Sequence, residues 1–109
     1  MSFSDYYSRG QILSKRDCLS QSTVSCLSKI ITDNLKGLEE YHARRILFIY
    51  VSFRSEVATH QLIKERLNSG LEVAVPKTDV VNRRLEAFLL KDWGKDLRPG
   101  AYGILEPDT

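Results

Sequence analysis

Apolar residues fall along this chain in three different rhythms, and the rhythms divide it into helix first and mixed α/β afterwards. Over the first forty residues the spacing is helical. Ile12, Leu13 and Leu19, interleaved with Arg9 and Arg16, outline a short amphipathic segment. Val24, Leu27, Ile30, Ile31, Leu35 and Leu38 give a longer stripe that begins after a Ser20 to Thr23 cap region and ends near Gly37. The next rhythm is an unbroken run, Ile46-Leu47-Phe48-Ile49-Tyr50-Val51, rich in aromatic and β-branched members and too short for a globular helix. It predicts a strand covered on both faces, as in a parallel sheet.

Val57, Leu62, Ile63 and Leu67 then return to helical spacing, with Gly70 at the place where a helix end favours a left-handed residue. Ser55 fits the N-cap of that helix and Glu56 its first turn, where a carboxylate faces free amides and the positive end of the dipole. A second strand over 72–77, carrying Val73 and Val75, completes a βαβ unit whose strands should run parallel. The polar stretch 77–84 reads as a loop after Pro76, and 85–90 as a third strand. Trp93-Gly94 and Pro99-Gly100 mark turns, and no element is predicted in the tail.

These elements predict an α/β fold: a three-layer, mainly parallel sheet with the N-terminal helices packed on it, in one domain over residues 1–109. No Pro or Gly linker separates the helical part from the first strand. Three short strands with an open edge make a thin sheet, and such an edge invites self-association or pairing with a second chain.

Composition narrows the partners. A content of 42% hydrophobic and 28% charged residues supports one small core and argues against disorder. The net charge is +2, and Lys and Arg are dispersed instead of gathered beside exposed aromatics, so the chain does not read as a nucleic-acid binder. Its longest apolar run is far short of a bilayer, and residues 1–10 lack the apolar stretch of a signal peptide, so a cytoplasmic location is expected with no membrane partner. Cys18 and Cys26 have no second pair and no histidines at ligand spacing, and read as free thiols. His42 and His60 stand alone, and no nucleophile triad can be assembled.

Four patterns occur in order: Arg9-x-x-Ile12-Leu13-x-x-Arg16-x-x-Leu19-Ser20; Ile49-Tyr50-Val51-x-x-x-x-Glu56-Val57-x-Thr59-x-x-Leu62-Ile63; Gly70-x-x-Val73-x-Val75-Pro76-Lys77; and Tyr102-Gly103-Ile104-x-Glu106-Pro107. Together they resemble the N-terminal half of the 5-formyltetrahydrofolate cyclo-ligase family, also called 5,10-methenyltetrahydrofolate synthetase. The resemblance covers nearly the whole chain. It implies an ATP- and Mg²⁺-dependent closure of 5-formyltetrahydrofolate to the 5,10-methenyl form, in which the formyl oxygen attacks the γ-phosphate and N10 then displaces phosphate.

On this resemblance Glu56 and Val51 match positions that face the folate. The carboxylate would stabilise positive character developing at N5, an effect that grows as water is excluded. Arg9 matches the arginine of a Lys-x-x-x-Arg pair that contacts ATP phosphates, a contact suited to the guanidinium fork. The lysine position is occupied here by Asp5, which replaces a cation by an anion beside the expected phosphates. Arg16 lies two turns on from Arg9 and could compensate, although it reads better as part of a solvated helix face. The family's Gly-rich loop ending in Tyr-Asp-Arg and its acidic residues around Mg²⁺ have no counterpart before Thr109, so the fold is expected to be incomplete relative to the family. Without that loop the 109-residue chain alone is expected to be inactive. A folate- or nucleotide-binding module and a sheet-edge interaction domain remain the alternatives.

Overall fold

The structure is a computed structural model that describes residues 8–43, 45–100 and 103–107. It opens with two capped helices. In α1 (Arg9–Asp17) the Ser8 hydroxyl accepts from the Gln11 amide while the Gln11 side chain accepts from Ser8, a reciprocal box that satisfies two otherwise free donors. In α2 (Gln21–Lys36) Ser20 caps the start and Gly37 the end, where the apolar periodicity placed them. A short α3 (Glu39–Ala43) follows, which the periodicity did not predict.

The central sheet is built from β1 (Ile46–Phe48), β2 (Glu72–Asp79) and β3 (Arg84–Leu90), in the order β1-β2-β3. β1 and β2 are parallel, as a βαβ unit requires, and α4 (His60–Asn68) connects them. The helix ends at Gly70, whose φ of 76° is the left-handed geometry expected there.

The expectation of a mainly parallel sheet fails at β3, which pairs antiparallel with β2 from Val73↔Leu90 to Asp79↔Arg84. The physical reason is the turn. Half of the polar segment 77–84 read as a loop is strand, and reversal needs only residues 80–83: Asp79 accepts from the Asn82 amide at 3.2 Å and from its side chain at 2.7 Å, while Arg83 adopts a φ of 53°. Hairpins join antiparallel neighbours directly, whereas a parallel strand would need another crossover.

A second, two-stranded sheet holds β4 (Leu97–Pro99) and β5 (Leu105–Pro107), also antiparallel, in the tail where no element was predicted. Between β3 and β4 the single turn α5 (Trp93–Asp96) is capped by Asp92. The tail hairpin docks on β2, and Leu97 and Leu105 pack against the core of Val51, Ile63, Val73, Val75 and Leu90.

Residues paired across the strands share a face, so Leu47, Val73 and Leu90 point to the same side as Val75, where α4 supplies Ile63 and Leu67. Ile46, Phe48, Leu85 and Leu89 point to the other side and remain 50%, 57%, 64% and 54% exposed. The first strand is thus covered on one face only, and the three-layer expectation is not met. The N-terminal helices are tied to the α4 side instead: Ser28 of α2 accepts from the Ala58 amide at 2.8 Å, and Lys36 pairs with Glu65 of α4 at 3.0 Å. Arg66, buried in α4, stacks on Tyr41 and donates to the carbonyls of Arg45 and Glu72, clamping α3 to the starts of β1 and β2.

Candidate functional site

At the carboxyl end of β1 the backbone leaves the ladder and runs through residues 49–59 before α4 begins. Such crevices beyond strand ends are where open α/β sheets bind ligands. The segment is held by its own side chains. Ser52 and Thr59 exchange bonds, each amide donating to the other's hydroxyl at 3.0 Å, and the Thr59 hydroxyl donates to the Tyr50 carbonyl at 2.9 Å. The Tyr50 hydroxyl donates to the Val57 carbonyl at 3.0 Å, and His60 Nε2 bonds the Ser52 carbonyl at 2.9 Å. The outcome is an arch tied across its base by these bonds.

That arch corrects two assignments. Ser55 does not cap α4, which starts five residues later behind Thr59 without a side-chain cap, and Glu56 is not in its first turn. The apolar recurrence from Val57 onward gave no sign of the arch. The Ser52-Thr59 exchange is what delays the helix.

Glu56 sits at the crown of the arch, half-buried. Its Oε1 accepts from the Phe53 amide at 2.7 Å while its own amide donates to the Phe53 carbonyl at 3.3 Å, so the turn is closed on both sides. Arg54, within that turn, has a φ of 56° and stacks its guanidinium over Phe53. Among the described residues Glu56 Oε2 has no hydrogen-bond partner. The carboxylate also acts at a distance: the Tyr50 phenol is pushed above its ordinary 10.0, first by burial and then by the negative charge of Glu56, with Arg16 opposing.

Val51 is only 3% exposed and packs in the core with Ile63 and Val73. Arg9 is exposed at the start of α1. Asp5 and Tyr102 lie outside the described residues. Arg16, read from the sequence as part of a solvated face, is brought to the arch: its Nε donates to the Ser55 hydroxyl at 2.9 Å, and that hydroxyl donates to the Asp17 carboxylate. The seven-residue spacing of Arg9 and Arg16 puts both on one helical face but gives no sign of the Ser55 contact.

A further acid missed by the sequence reading is Glu106 of β5, 8% exposed, whose Oε2 accepts from the Thr78 amide at 2.7 Å. It fills the space where a side chain at Gly100 would stand.

Neither a protein-family model nor a curated protein matches this chain. A solved structure does. The NMR structure of 5,10-methenyltetrahydrofolate synthetase from Aquifex aeolicus is similar with a TM-score of 0.79 and 29% sequence identity, over 93% of this chain and 50% of that chain. The resemblance to the cyclo-ligase family is shown. The chain spans half the length of the synthetase it matches. Its mixed α/β architecture matches the fold of the synthetase over that half. No helix among the described residues is long and apolar enough to cross a membrane.

Proposed function

We propose that this chain supplies the folate-facing and part of the nucleotide-facing wall of a site for 5-formyltetrahydrofolate cyclo-ligase chemistry. The observation that carries the reading is Glu56: a half-buried carboxylate on a rigid arch at a strand's carboxyl end, with one oxygen fixed by the Phe53 amide and the other without a partner among the described residues, in a fold that matches a methenyltetrahydrofolate synthetase. An oxygen held this way needs no reorganisation to accept from a pterin N–H or to face a cation forming at N5. Val51, packed in the core at the family position that lines the folate pocket, would support that wall from beneath. Arg9 offers an exposed guanidinium to the phosphates of ATP.

ATP is a co-substrate in this reading, and Mg²⁺ would shield charge on its phosphates. Among the described residues no three His, Cys, Asp or Glu side chains converge on a metal position. The chemistry assigned to this chain is binding and electrostatic stabilisation. Turnover requires groups that correspond to the other half of the matched synthetase, and this chain alone should give no methenyl absorbance when mixed with 5-formyltetrahydrofolate, ATP and Mg²⁺. A cytoplasmic setting follows the same resemblance.

The test is calorimetric titration of 5-formyltetrahydrofolate into the chain and into Glu56→Gln. The chain should bind, and the variant should bind about tenfold more weakly or worse, the scale of a lost charged hydrogen bond. Equal affinities would return Glu56 to the role of closing its own turn. A second reading, a folate-binding module without phosphoryl chemistry, is favoured by one observation, the acid Asp5 where the family pattern has a lysine. Folate binding with no ATP binding would select it.

A further inference from the structure

Resting on that reading, we infer that Ser55 is a positioning residue that joins the nucleotide-facing helix to the folate-facing turn. α1 buries none of its residues, so apolar packing does not set its orientation. Its last turn is gripped by polar bonds that converge on one hydroxyl, which accepts from Arg16 Nε at 2.9 Å and donates to the Asp17 carboxylate. A serine hydroxyl has one proton to give and two lone pairs, and this grip uses the proton and one acceptor site. Alanine can do neither, whereas threonine can do both.

The geometry gives the grip a consequence at both ends. Ser55 is bonded covalently to Glu56, so the helix is held against the very turn that carries the carboxylate. Arg9 precedes Arg16 by seven residues, which at about 100° per residue returns it to within roughly 20° of the same line, about 10 Å along the axis. Fixing Arg16 against Ser55 therefore fixes the line from which Arg9 projects. Ligand held at Glu56 steadies Ser55, Ser55 steadies α1, and α1 presents its guanidinium already oriented. Phosphate binding in a chain with folate bound should then carry less ordering cost than in the empty chain.

Hydrogen exchange read by mass spectrometry tests the grip in the full chain. Amides of α1 should be protected, Ser55→Ala should raise their exchange about tenfold while the amides of β2 stay unchanged, and Ser55→Thr should restore protection. Unprotected α1 in the parent chain, or α1 exchange indifferent to Ser55→Ala, overturns the inference. Calorimetry tests the coupling: ATP should bind severalfold tighter with 5-formyltetrahydrofolate present than without, and in Ser55→Ala that ratio should fall towards one with folate affinity kept. A ratio that survives in Ser55→Ala also overturns it. If the parent chain binds neither ligand, the functional reading falls and the coupling with it, while the exchange data still decide whether Ser55 holds the helix.

Discussion

Replacing Gly100 by alanine should destabilise the chain through a residue six positions away. A Cβ built at Gly100 would lie 1.6 Å from Glu106 Oε1 and 2.3 Å from its carboxyl carbon, far inside contact distance. The carboxylate must move, and it is not free to move cheaply, because its other oxygen accepts from the Thr78 amide at 2.7 Å and the residue is buried. Displacing it breaks the bond that pins the tail hairpin to β2. A hydrogen bond to a charged group contributes about 1.5–3 kcal/mol, so Gly100→Ala should cost that much. Urea unfolding followed by the fluorescence of Trp93, which packs against the core, reads the effect. The midpoint should fall by roughly 1 M at a typical slope for a small domain. The mechanism also fixes a double-mutant outcome. Glu106→Ala should itself be destabilising, since it leaves the Thr78 amide without that acceptor, but adding Gly100→Ala on top should then cost less than about 0.5 kcal/mol. An equal cost in both backgrounds, or no shift of the midpoint in either, would refute the steric account.

Ile63 is fully buried between α4 and β2, and Ile63→Ala should cost about 2–5 kcal/mol, seen as a large drop in thermal midpoint or loss of cooperative unfolding. The Tyr50 phenol, raised by burial and by Glu56, favours the protonated form in the fold, so its stabilisation is complete below the ordinary 10.0 and is lost as pH rises through the higher folded value; in Glu56→Gln its titration, followed by NMR of ring-labelled tyrosine, should move back towards 10.0. The Asp96 carboxyl is held below its ordinary 3.8, first by the Asp92 amide and then by that of Lys91, so its contribution is present above 3.8 and disappears as pH falls through the lower folded value. Asp96→Asn should accordingly flatten the acid limb of a stability-versus-pH curve while leaving the fold intact at neutral pH.

What could be read in the chain was whatever is decided locally. Ser20, Gly37 and Gly70 marked helix ends because capping is a matter of neighbours along the sequence, and all three hold those places. The parallel pairing of β1 with β2 followed from a helix between two apolar runs. Direction and coverage were decided elsewhere. The run 46–51 is apolar throughout, which suits a strand buried on both sides, yet only its alternate members Leu47, Ile49 and Val51 turn to the core side, because coverage depends on what lies opposite. The segment 77–84 looked like a loop since charge and strand are compatible only where a sheet edge is wet. At the site, the placement of Glu56 near a strand end was legible, but not the arch made by Ser52, Tyr50 and Thr59, whose bonds span seven to nine residues. The partners of Arg16, Arg66 and Glu106 were not legible for a common reason. Each is a charged residue whose partners lie on another element, and a charge alone reads as solvent-facing.

The bare side of the central sheet has a practical meaning for anyone handling this polypeptide. Ile46, Phe48, Leu85 and Leu89 form a greasy panel beside β1, which among the described residues is an edge strand, the combination from which intermolecular strand stacking starts. Yield and colloidal behaviour should therefore worsen with concentration even when every capped helix and the α4-side core are sound. A lysine in place of Phe48 should improve recovery without lowering the melting temperature, separating how well the chain folds from how well it stays dispersed.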